Sequence, residues 1–276
     1  MTVSQSQTKL GILAGGGKLP ALIINDCIKE KKDFHVLTFK GQEVPSIEIP
    51  QNNHTLCPAG ALGKMVSVLR DNNVTDVVMA GAINRPSIFD LRPDATTIKF
   101  LASLTNKHDD ALLTKLCRFW EGEGFKILGA HEVLPSIITP AEVLTKIQPT
   151  AEQSEDIKLA IEAVKTLGKL DIGQSAIIKN GIILGVEAVE GTNSLIERCA
   201  NLRGKKNNGG ILVKLAKPQQ NLKVDMPASG TQTIEILAKY KYEGLVLEAE
   251  KSLMIDKSEM VKIAQKNKIF IQGISL

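Results

Sequence analysis

The sequence predicts an α/β protein of two domains, an N-terminal Rossmann-like domain of layered β-α-β units and a C-terminal mixed α/β domain with a β-hairpin. Short apolar runs alternate with segments of helical periodicity, which is typical of strands that alternate with helices. Pro135, Pro140 and Pro149 interrupt the middle of the chain and indicate a linker. Asn180 and Gly181 separate two apolar runs and predict a tight hairpin turn.

These breaks divide the chain into three parts. We expect the N-terminal domain over residues 1–131, a linker over 132–150 and the C-terminal domain over 151–276. The 276 residues, of which 43% are hydrophobic, suffice for two cores of ordinary size.

The charge balance argues against a nucleic-acid partner. The 34 basic and 30 acidic residues give a formal net charge of +4 without a long basic run, and only 4% of the residues are aromatic side chains that could stack on bases. The four cysteines lie far apart and form no C-x-x-C pair, which is typical of reduced thiols in the cytoplasm. A polar N-terminus followed by a run of glycines predicts neither a signal peptide nor a membrane anchor.

A glycine loop follows the first predicted strand, Leu10–Ala14, and precedes a helix over residues 21–29. Such a loop aims several backbone N–H groups and the start of the helix at one point, which suits a phosphate or another anion. The candidate residues are Gly15, Gly16, Gly17 and Lys18. A tight strand-to-helix turn without a ligand explains the same residues equally well. Pro20 stands where the dinucleotide-binding fingerprint requires glycine, so a nicotinamide dehydrogenase fits poorly.

A second polar loop follows the strand predicted over residues 74–80. It places Gly81, Asn84 and Arg85 at the carboxyl end of that strand, where open α/β sheets bind ligands. Asp94 is expected on the same rim or as the cap of the next helix, and the cap is favoured. The other expected elements here are helices over 58–71 and 112–123 and strands over 35–39 and 126–129. The scattered histidines do not indicate a zinc site.

The C-terminal domain is expected to begin with a helix and a hairpin. Thr150 and Gln153 form a capping box for a helix that ends at Gly168. The hairpin strands, residues 174–179 and 182–189, bring their open ends together, so we expect a polar binding face there. Its candidates are Asp171, Gly173, Gln174, Ser175, Glu187, Glu190, Gly191, Thr192 and Asn193. Thr192 or Asn193 is also expected to cap a helix over residues 194–202.

Residues 210–230 carry the strongest chemical signal. Ile211–Val213 predicts an interior strand, and Lys214 and Lys217 follow where this strand ends. Two prolines bracket Asp225 and hold it in irregular backbone. Two ammonium groups beside a carboxylate suit a phosphate ligand, because the cations neutralise the phosphate while the acid binds a metal or orients water. A solvated loop with surface ion pairs is the alternative.

The last part of the chain adds one more acidic candidate. It predicts helices over 231–240 and 257–267 and strands over 244–249, 252–255 and 269–273. Glu248 lies in an apolar strand, where a lone carboxylate is costly unless it is paired or bound to a cation. Glu248 is therefore a further candidate for the site.

Several stretches together resemble a known family. They are GILAGGGKLP, AGAINRP followed by LRPD, HDDALL, DIGQSAIIKNGIILGVEAVEGTN, GGILVKLAKPQQNLKVDMP and GLVLEAE. In this order and spacing, over nearly the whole chain, they are similar to the LpxI-type UDP-2,3-diacylglucosamine pyrophosphatases of Gram-negative lipid A synthesis.

The resemblance implies an enzyme with its substrate held between the two domains, the C-terminal one being catalytic. Water attacks the α-phosphorus of UDP-2,3-diacylglucosamine and gives UMP and 2,3-diacylglucosamine 1-phosphate, with Mg2+ as the expected ion and Mn2+ as the alternative. Asp225 is implied as a metal ligand or as the group that orients water, and Lys214 and Lys217 as cations that compensate the pyrophosphate charge. The glycine loop would approach the ligand through its backbone.

The implied substrate-binding residues combine both domains. They are Gly15, Gly16, Gly17, Lys18, Asn84, Arg85, Asp171, Gln174, Glu187, Gly191, Thr192 and Glu248. The chain departs from the family pattern at Asn193, Asn221, Lys223 and Thr231, which bears on metal affinity and phosphate contacts. The resemblance implies a cytoplasmic protein and leaves open peripheral contact with the inner membrane surface and a homo-oligomer. A non-catalytic protein that binds a nucleotide sugar or lipid precursor is the alternative function.

Overall fold

The computed structural model describes residues 8–42, 47–82, 93–104, 109–203 and 208–276, and these divide into two compact units. Unit 1 contains Met1–Pro135 and Asn221–Asp225, and unit 2 contains Ser136–Gln220 and Met226–Leu276. Much of the segment expected as a linker belongs to unit 2. There the Thr139 N–H donates to the Ser252 carbonyl at 3.0 Å and the Leu144 N–H donates to the Ile271 carbonyl at 2.9 Å.

Unit 1 is built on one parallel sheet. Its strands are β1 (Leu10–Ala14), β2 (Phe34–Phe39), β3 (His54–Cys57), β4 (Asp76–Ala80) and β5 (Lys126–Leu128). Its helices are α1 (Lys18–Lys29), α2 (Leu62–Asp71), α3 (Ala95–Ala102), α4 (Asp109–Gly122) and α5 (Ala130–Val133). The strand order is β3-β2-β1-β4-β5, and every pairing is parallel. This order starts in the middle of the sheet and winds outwards both ways, so the Rossmann-like prediction is confirmed.

Side-chain alternation divides the core of unit 1 between the two faces of its sheet. Leu13, Leu37 and Val77 pack on one face with buried residues of α2 and α4, among them the fully buried Trp120. The sequence did not predict β3, because only Cys57 among its four residues is buried and the strand lies at the sheet edge.

Unit 2 has a mixed sheet. Its strands are β6 (Ser175–Lys179), β7 (Ile182–Val186), β8 (Ile211–Lys214), β9 (Ala228–Gly230), β10 (Gly244–Glu248), β11 (Leu253–Ile255) and β12 (Phe270–Ile274). Its helices are α6 (Ala151–Lys169), α7 (Gly191–Ala200), α8 (Thr231–Lys239) and α9 (Lys257–Lys266). The main sheet has the order β12-β10-β8-β6-β7, with β6 antiparallel to both of its neighbours, while β9 and β11 form a separate pair.

Helices cover both faces of the main sheet of unit 2. Helix α6 packs on one face, and α7, α8 and α9 pack on the other. The hairpin prediction is confirmed, since Asn180 and Gly181 have φ values of 51° and 76°, as a type I′ turn requires. The predicted capping box of α6 is also present, with Thr150 and Gln153 bonding each other's backbone N–H groups. In the described ranges no helix is long and apolar enough to span a bilayer.

Candidate functional site

In unit 1 the glycine loop closes on the loop that follows β4. The Gly15 N–H donates to the Ala80 carbonyl at 2.8 Å, and the Gly16 N–H donates to the Ala82 carbonyl at 2.7 Å. A Cβ atom on Gly15 would lie 2.5 Å from the Ala82 carbonyl oxygen, so this backbone contact requires glycine. The N–H groups of the first two glycines therefore have partners within the protein. Gly17, with φ of 92°, and Lys18 are exposed at the start of α1.

The second predicted loop of unit 1 is described only in part. Asn84 and Arg85 lie outside the described residues. The predicted cap at Asp94 is confirmed, because its Oδ1 accepts the Thr97 N–H at 2.8 Å and its Oδ2 accepts the Gly63 N–H at 2.8 Å. Burial opposes ionisation of this carboxyl, but the hydrogen bonds from Thr97 and the start of α2 outweigh it and lower the pKa. Asp94 thus serves two helix starts.

The segment Asn221–Asp225 belongs to unit 1, although the residues on both sides of it belong to unit 2. Val224 packs on the core that contains Trp120, and the Lys223 Nζ donates to the Ile127 carbonyl at 3.2 Å. The Asp225 N–H donates to the Asn221 carbonyl at 2.8 Å. A cavity of about 430 Å³ lies between this segment and α4. These contacts fix the backbone at Asp225 on unit 1.

Asn221 and Lys223, two of the four residues that depart from the family pattern, lie in this segment. The Asn221 Nδ2 lies 3.9 Å from Cys117 Sγ, and Lys223 contacts β5 as described above. Burial raises the pKa of the Cys117 thiol, so the neutral thiol is favoured. Both side chains contact protein atoms of unit 1.

In unit 2 the sheet register aligns three polar side chains. Ser175 of β6 pairs directly with Lys214 of β8. On the other side of β6, Glu187 follows β7, and its N–H donates to the Ser175 carbonyl at 2.8 Å. Directly paired residues place their side chains on the same face of a sheet. Glu187, Ser175 and Lys214 therefore form a cross-strand polar row, on the face that α7 and α8 cover.

This polar row is bonded to the starts of two helices. The Lys214 Nζ donates to the Thr192 hydroxyl at 3.2 Å and to the Ala228 carbonyl at 3.1 Å. Thr192 is the second residue of α7, and Ala228 comes three residues before the start of α8. The Thr192 hydroxyl in turn donates to Glu187 Oε1 at 2.8 Å. Lys214 and Glu187 are only 8% and 7% exposed.

The predicted cap of the helix after the hairpin is wrong. Helix α7 begins at Gly191, the N-cap position is Glu190, and no side chain caps the helix there. Thr192 lies inside the first turn, and its hydroxyl bonds Glu187 and Lys214 in the polar row. The open hairpin ends do meet, since Ala176 pairs with Val186.

Four buried oxygen atoms around the polar row have no hydrogen-bond partner in the described part of the chain. They are Gln174 Oε1, Ser175 Oγ, Glu187 Oε2 and Ser229 Oγ. Buried polar atoms are nearly always hydrogen-bonded, so this group of oxygens indicates a place where a polar ligand could bind. The sequence analysis did not single out Ser229, whose one signal is its place between Pro227 and the helix that starts at Thr231.

The other predicted residues of unit 2 are bonded within the fold. The Lys217 Nζ forms an ion pair with Asp171 Oδ1 at 2.7 Å. Glu248 Oε2 accepts the Ala216 N–H at 3.0 Å, and its Oε1 pairs with Lys251 at 2.8 Å. These contacts account for the burial of Glu248. Leu247, the residue before Glu248 in β10, pairs with Lys214 of β8. Glu248 therefore lies at the same end of the strands as the polar row.

No group of three or more histidine, cysteine, aspartate or glutamate side chains converges as a metal centre within the described ranges. The chain has four free cysteines, all buried, and burial raises the pKa of Cys27 to about 11. These thiols fit the expected structural role and not that of metal ligands.

Comparisons with known proteins agree with the fold and its two parts. Residues 9–137 match the family model of the LpxI N-terminal domain, and residues 140–272 match that of the LpxI C-terminal domain. A Caulobacter vibrioides protein described as UDP-2,3-diacylglucosamine pyrophosphatase LpxI is 36% identical over 275 residues, which covers 96% of this chain and 97% of that protein. Both halves of the fold are thus matched in order, and the chain belongs to the LpxI family.

Proposed function

We propose that the protein hydrolyses the pyrophosphate bond of UDP-2,3-diacylglucosamine, a step of lipid A synthesis. Water attacks the α-phosphorus and forms a new P–O bond. The bond from this phosphorus to the bridging oxygen breaks, and the products are UMP and 2,3-diacylglucosamine 1-phosphate. The name of the Caulobacter relative supports the substrate, and the buried ammonium of Lys214 at two helix starts supports a phosphate ligand.

The residues of unit 2 supply the charge that such a reaction needs. Phosphoryl transfer depends chiefly on positioning and on charge neutralisation. Lys214 ends β8 and Lys217 follows it by three residues, and both would compensate the negative charge of the pyrophosphate. In unit 1, Asp225 would ligate the metal or orient the attacking water, and Gly17 and Lys18 would contact the substrate.

Magnesium fits the carboxylates available to it. Mg2+ is commonly held by one or two carboxylates together with substrate phosphates and water, so a cage of three protein ligands is not required. Asp225 is the carboxylate that we propose for this role. When bound, the ion would neutralise charge that develops on the phosphate oxygens.

The test is release of UMP from UDP-2,3-diacylglucosamine by the full chain with magnesium. We expect Asp225→Ala to abolish turnover while substrate binding persists, and chelation of the metal to abolish turnover reversibly. Asp26→Ala is a matched control, because Asp26 pairs with Lys32 near the surface of unit 1. Full activity of Asp225→Ala would refute the role of this acid.

Labelled water tests the site of attack. In water enriched in heavy oxygen the label should appear in UMP, and label in the sugar phosphate would contradict attack at the α-phosphorus. Tight substrate binding without turnover over several divalent metals would favour the non-catalytic binding protein instead.

A further inference from the structure

His131 lies at the carboxyl edge of the sheet of unit 1. It is the second residue of α5, which follows β5 after Gly129. Because β5 pairs in parallel with β4, and β4 pairs in parallel with β1, the ends of these three strands lie at one edge together with the glycine loop. Open α/β sheets bind their ligands at this edge. The fold therefore places His131 where a ligand of unit 1 is expected.

The His131 ring lies beside the segment that carries Asp225. A Cβ atom on Gly129 would lie 2.5 Å from His131 Cε1 and 3.3 Å from Lys223 Cα, so the ring and the Lys223 backbone lie against the same small residue. Lys223 belongs to a tight turn, since the Asp225 N–H donates to the Asn221 carbonyl at 2.8 Å. His131 and Asp225 are therefore close to each other within unit 1.

The residues around His131 hold α5 in place without using the imidazole. Ala130 and Val133 are buried, with only 6% and 8% of their surface exposed. Glu132 Oε2 accepts the Gly129 N–H at 2.6 Å, which fixes the backbone at the start of α5. The His131 side chain is half-buried between these anchored neighbours. Its position is thus set by the fold, while its ring nitrogens are left for another partner.

The hydrogen bonding of His131 differs from that of the two other histidines that the structure describes. His35 Nε2 lies 2.9 Å from the Thr55 hydroxyl oxygen, and His54 Nε2 lies 2.7 Å from that of Thr38. The His131 side chain bonds no described residue, and its Nδ1 is buried. A proton on this Nδ1 would have no acceptor, so the neutral ring carries its N–H on Nε2. The ring therefore offers a donor for a ligand.

Such a donor suits an oxygen on which negative charge develops. When water attacks the α-phosphorus in the proposed reaction, charge spreads over the non-bridging oxygens of that phosphate. A preorganised N–H group aimed at such an oxygen stabilises the transition state. Magnesium takes oxygen ligands, so the imidazole is better suited to the phosphate than to this ion.

We propose that His131 is a further catalytic residue, which donates a hydrogen bond from Nε2 to an oxygen of the α-phosphate. It is a neutral donor from unit 1, and it would act beside Asp225. The reaction in which it takes part rests on the proposed function. Binding of UMP, which carries the same phosphate, needs no turnover, so the contact can also be tested by itself.

The first test is the rate of UMP release by His131→Ala with magnesium. We expect kcat to fall about a hundredfold or more while KM changes little, because the lost contact strengthens in the transition state. His131→Gln, whose amide N–H can replace that of Nε2, should keep part of the rate. Free imidazole should raise the rate of His131→Ala and not that of Asp225→Ala. Trp120 fluorescence establishes that unit 1 of each variant is folded.

His54→Ala is the matched control. His54 is a half-buried histidine of the same unit, and its ring has a partner in the Thr38 hydroxyl. This variant should release UMP at the unaltered rate, with or without imidazole. Full activity of His131→Ala, or a loss that neither imidazole nor glutamine restores, would overturn the role of the His131 ring.

Nitrogen NMR of the histidine rings tests the contact without turnover. The chain has four histidines, so the signal that is missing in His131→Ala identifies this ring. UMP should shift this signal and leave that of His54 in place, whereas uridine, which lacks the phosphate, should shift neither. If UMP shifts the His131 signal but UDP-2,3-diacylglucosamine is not cleaved, the proposed function fails and the contact stands. If the substrate is cleaved but His131→Ala is fully active and UMP leaves the signal unchanged, the contact fails and the function stands.

Discussion

Two buried cations of unit 2 lie at opposite ends of the same pair of helices. Arg203 is 5% exposed and donates to the carbonyls of Ala200, at the end of α7, and Tyr240, at the end of α8. It also bonds the Gly209 carbonyl at 2.9 Å, and its guanidinium lies 4.1 Å from the Tyr242 ring centre. Lys214 lies at the starts of the same helices.

The difference between the two cations supports a structural role for Arg203 and the proposed binding role for Lys214. Helix C-terminal ends carry partial negative charge, so Arg203 is stabilised by both dipoles and by its carbonyl partners. Helix N-terminal ends carry partial positive charge, so both dipoles disfavour the charge of Lys214. This contrast supports the binding role that we propose for Lys214, with a phosphate of the substrate as its ligand.

The largest expected effect on stability is at Arg203. We expect Arg203→Met to lower the free energy of unfolding by about 3 kcal/mol or more, because several buried carbonyls lose their donor. Both tyrosines, Tyr240 and Tyr242, belong to unit 2, so tyrosine absorbance during urea unfolding reports this unit.

The control for this variant is Arg198→Met, which removes a half-exposed arginine from the same α7. Arg198 pairs with Glu190 at the surface, where solvent screens ion pairs so that they contribute little to stability. If the two arginine variants unfold at the same urea concentration, the structural role assigned to Arg203 is wrong.

A smaller effect is expected at Lys214 without a ligand. Lys214→Met should change the free energy of unfolding by less than about 1 kcal/mol, since relief from two helix dipoles offsets the lost hydrogen bonds. Added phosphate should stabilise the unaltered protein and leave this variant unchanged. The same urea titration checks both points. If Lys214→Met lowers the free energy of unfolding in phosphate-free buffer as much as Arg203→Met does, the contrast between the two cations is wrong.

The smallest effect is a pH dependence confined to unit 1. Burial, with smaller contributions from Lys9 and His54, lowers the pKa of His35, so the fold holds the neutral ring. Stability from this group is present above its unfolded pKa of about 6.5 and is lost as the pH falls from there towards the lower pKa of the folded state, by about 1 kcal/mol or less. Fluorescence of the single tryptophan, Trp120, should follow the loss as the pH falls below about 6.5.

His35→Gln should remove this dependence. The tyrosine signal of unit 2 should stay constant over the same range, because the sequence of unit 2 contains no histidine. If the tyrosine signal changes over this pH range as much as the tryptophan signal does, the pH dependence is not confined to unit 1.

The sequence was sufficient for most of the fold because its signals are local. The run Leu10–Ala14 is a strand with the predicted limits, and Asn180 with Gly181 forms the expected hairpin turn. Strand β3 was missed because a half-exposed edge strand leaves little periodicity. The attachment of residues 221–225 to unit 1 could not be predicted, since it depends on long-range packing of Val224.

The candidate site was predictable in composition but not in arrangement. Lys214, Thr192 and Glu187 were all candidates, and the structure joins them in one network. The arrangement depends on the register between β6 and β8, which places Ser175 beside Lys214. The sequence could not predict this pairing, because Ser175 and Lys214 are about forty positions apart.

The central claim is that Lys214 neutralises a phosphate of the substrate, and the most direct test compares its removal with the removal of Lys179. Release of UMP from UDP-2,3-diacylglucosamine with magnesium is measured for the unaltered protein, Lys214→Met and Lys179→Met. The account predicts that Lys214→Met is at least about a hundredfold slower, while Lys179→Met stays within about twofold of the unaltered rate. An unaltered rate in Lys214→Met, or equal losses in both variants, would contradict it.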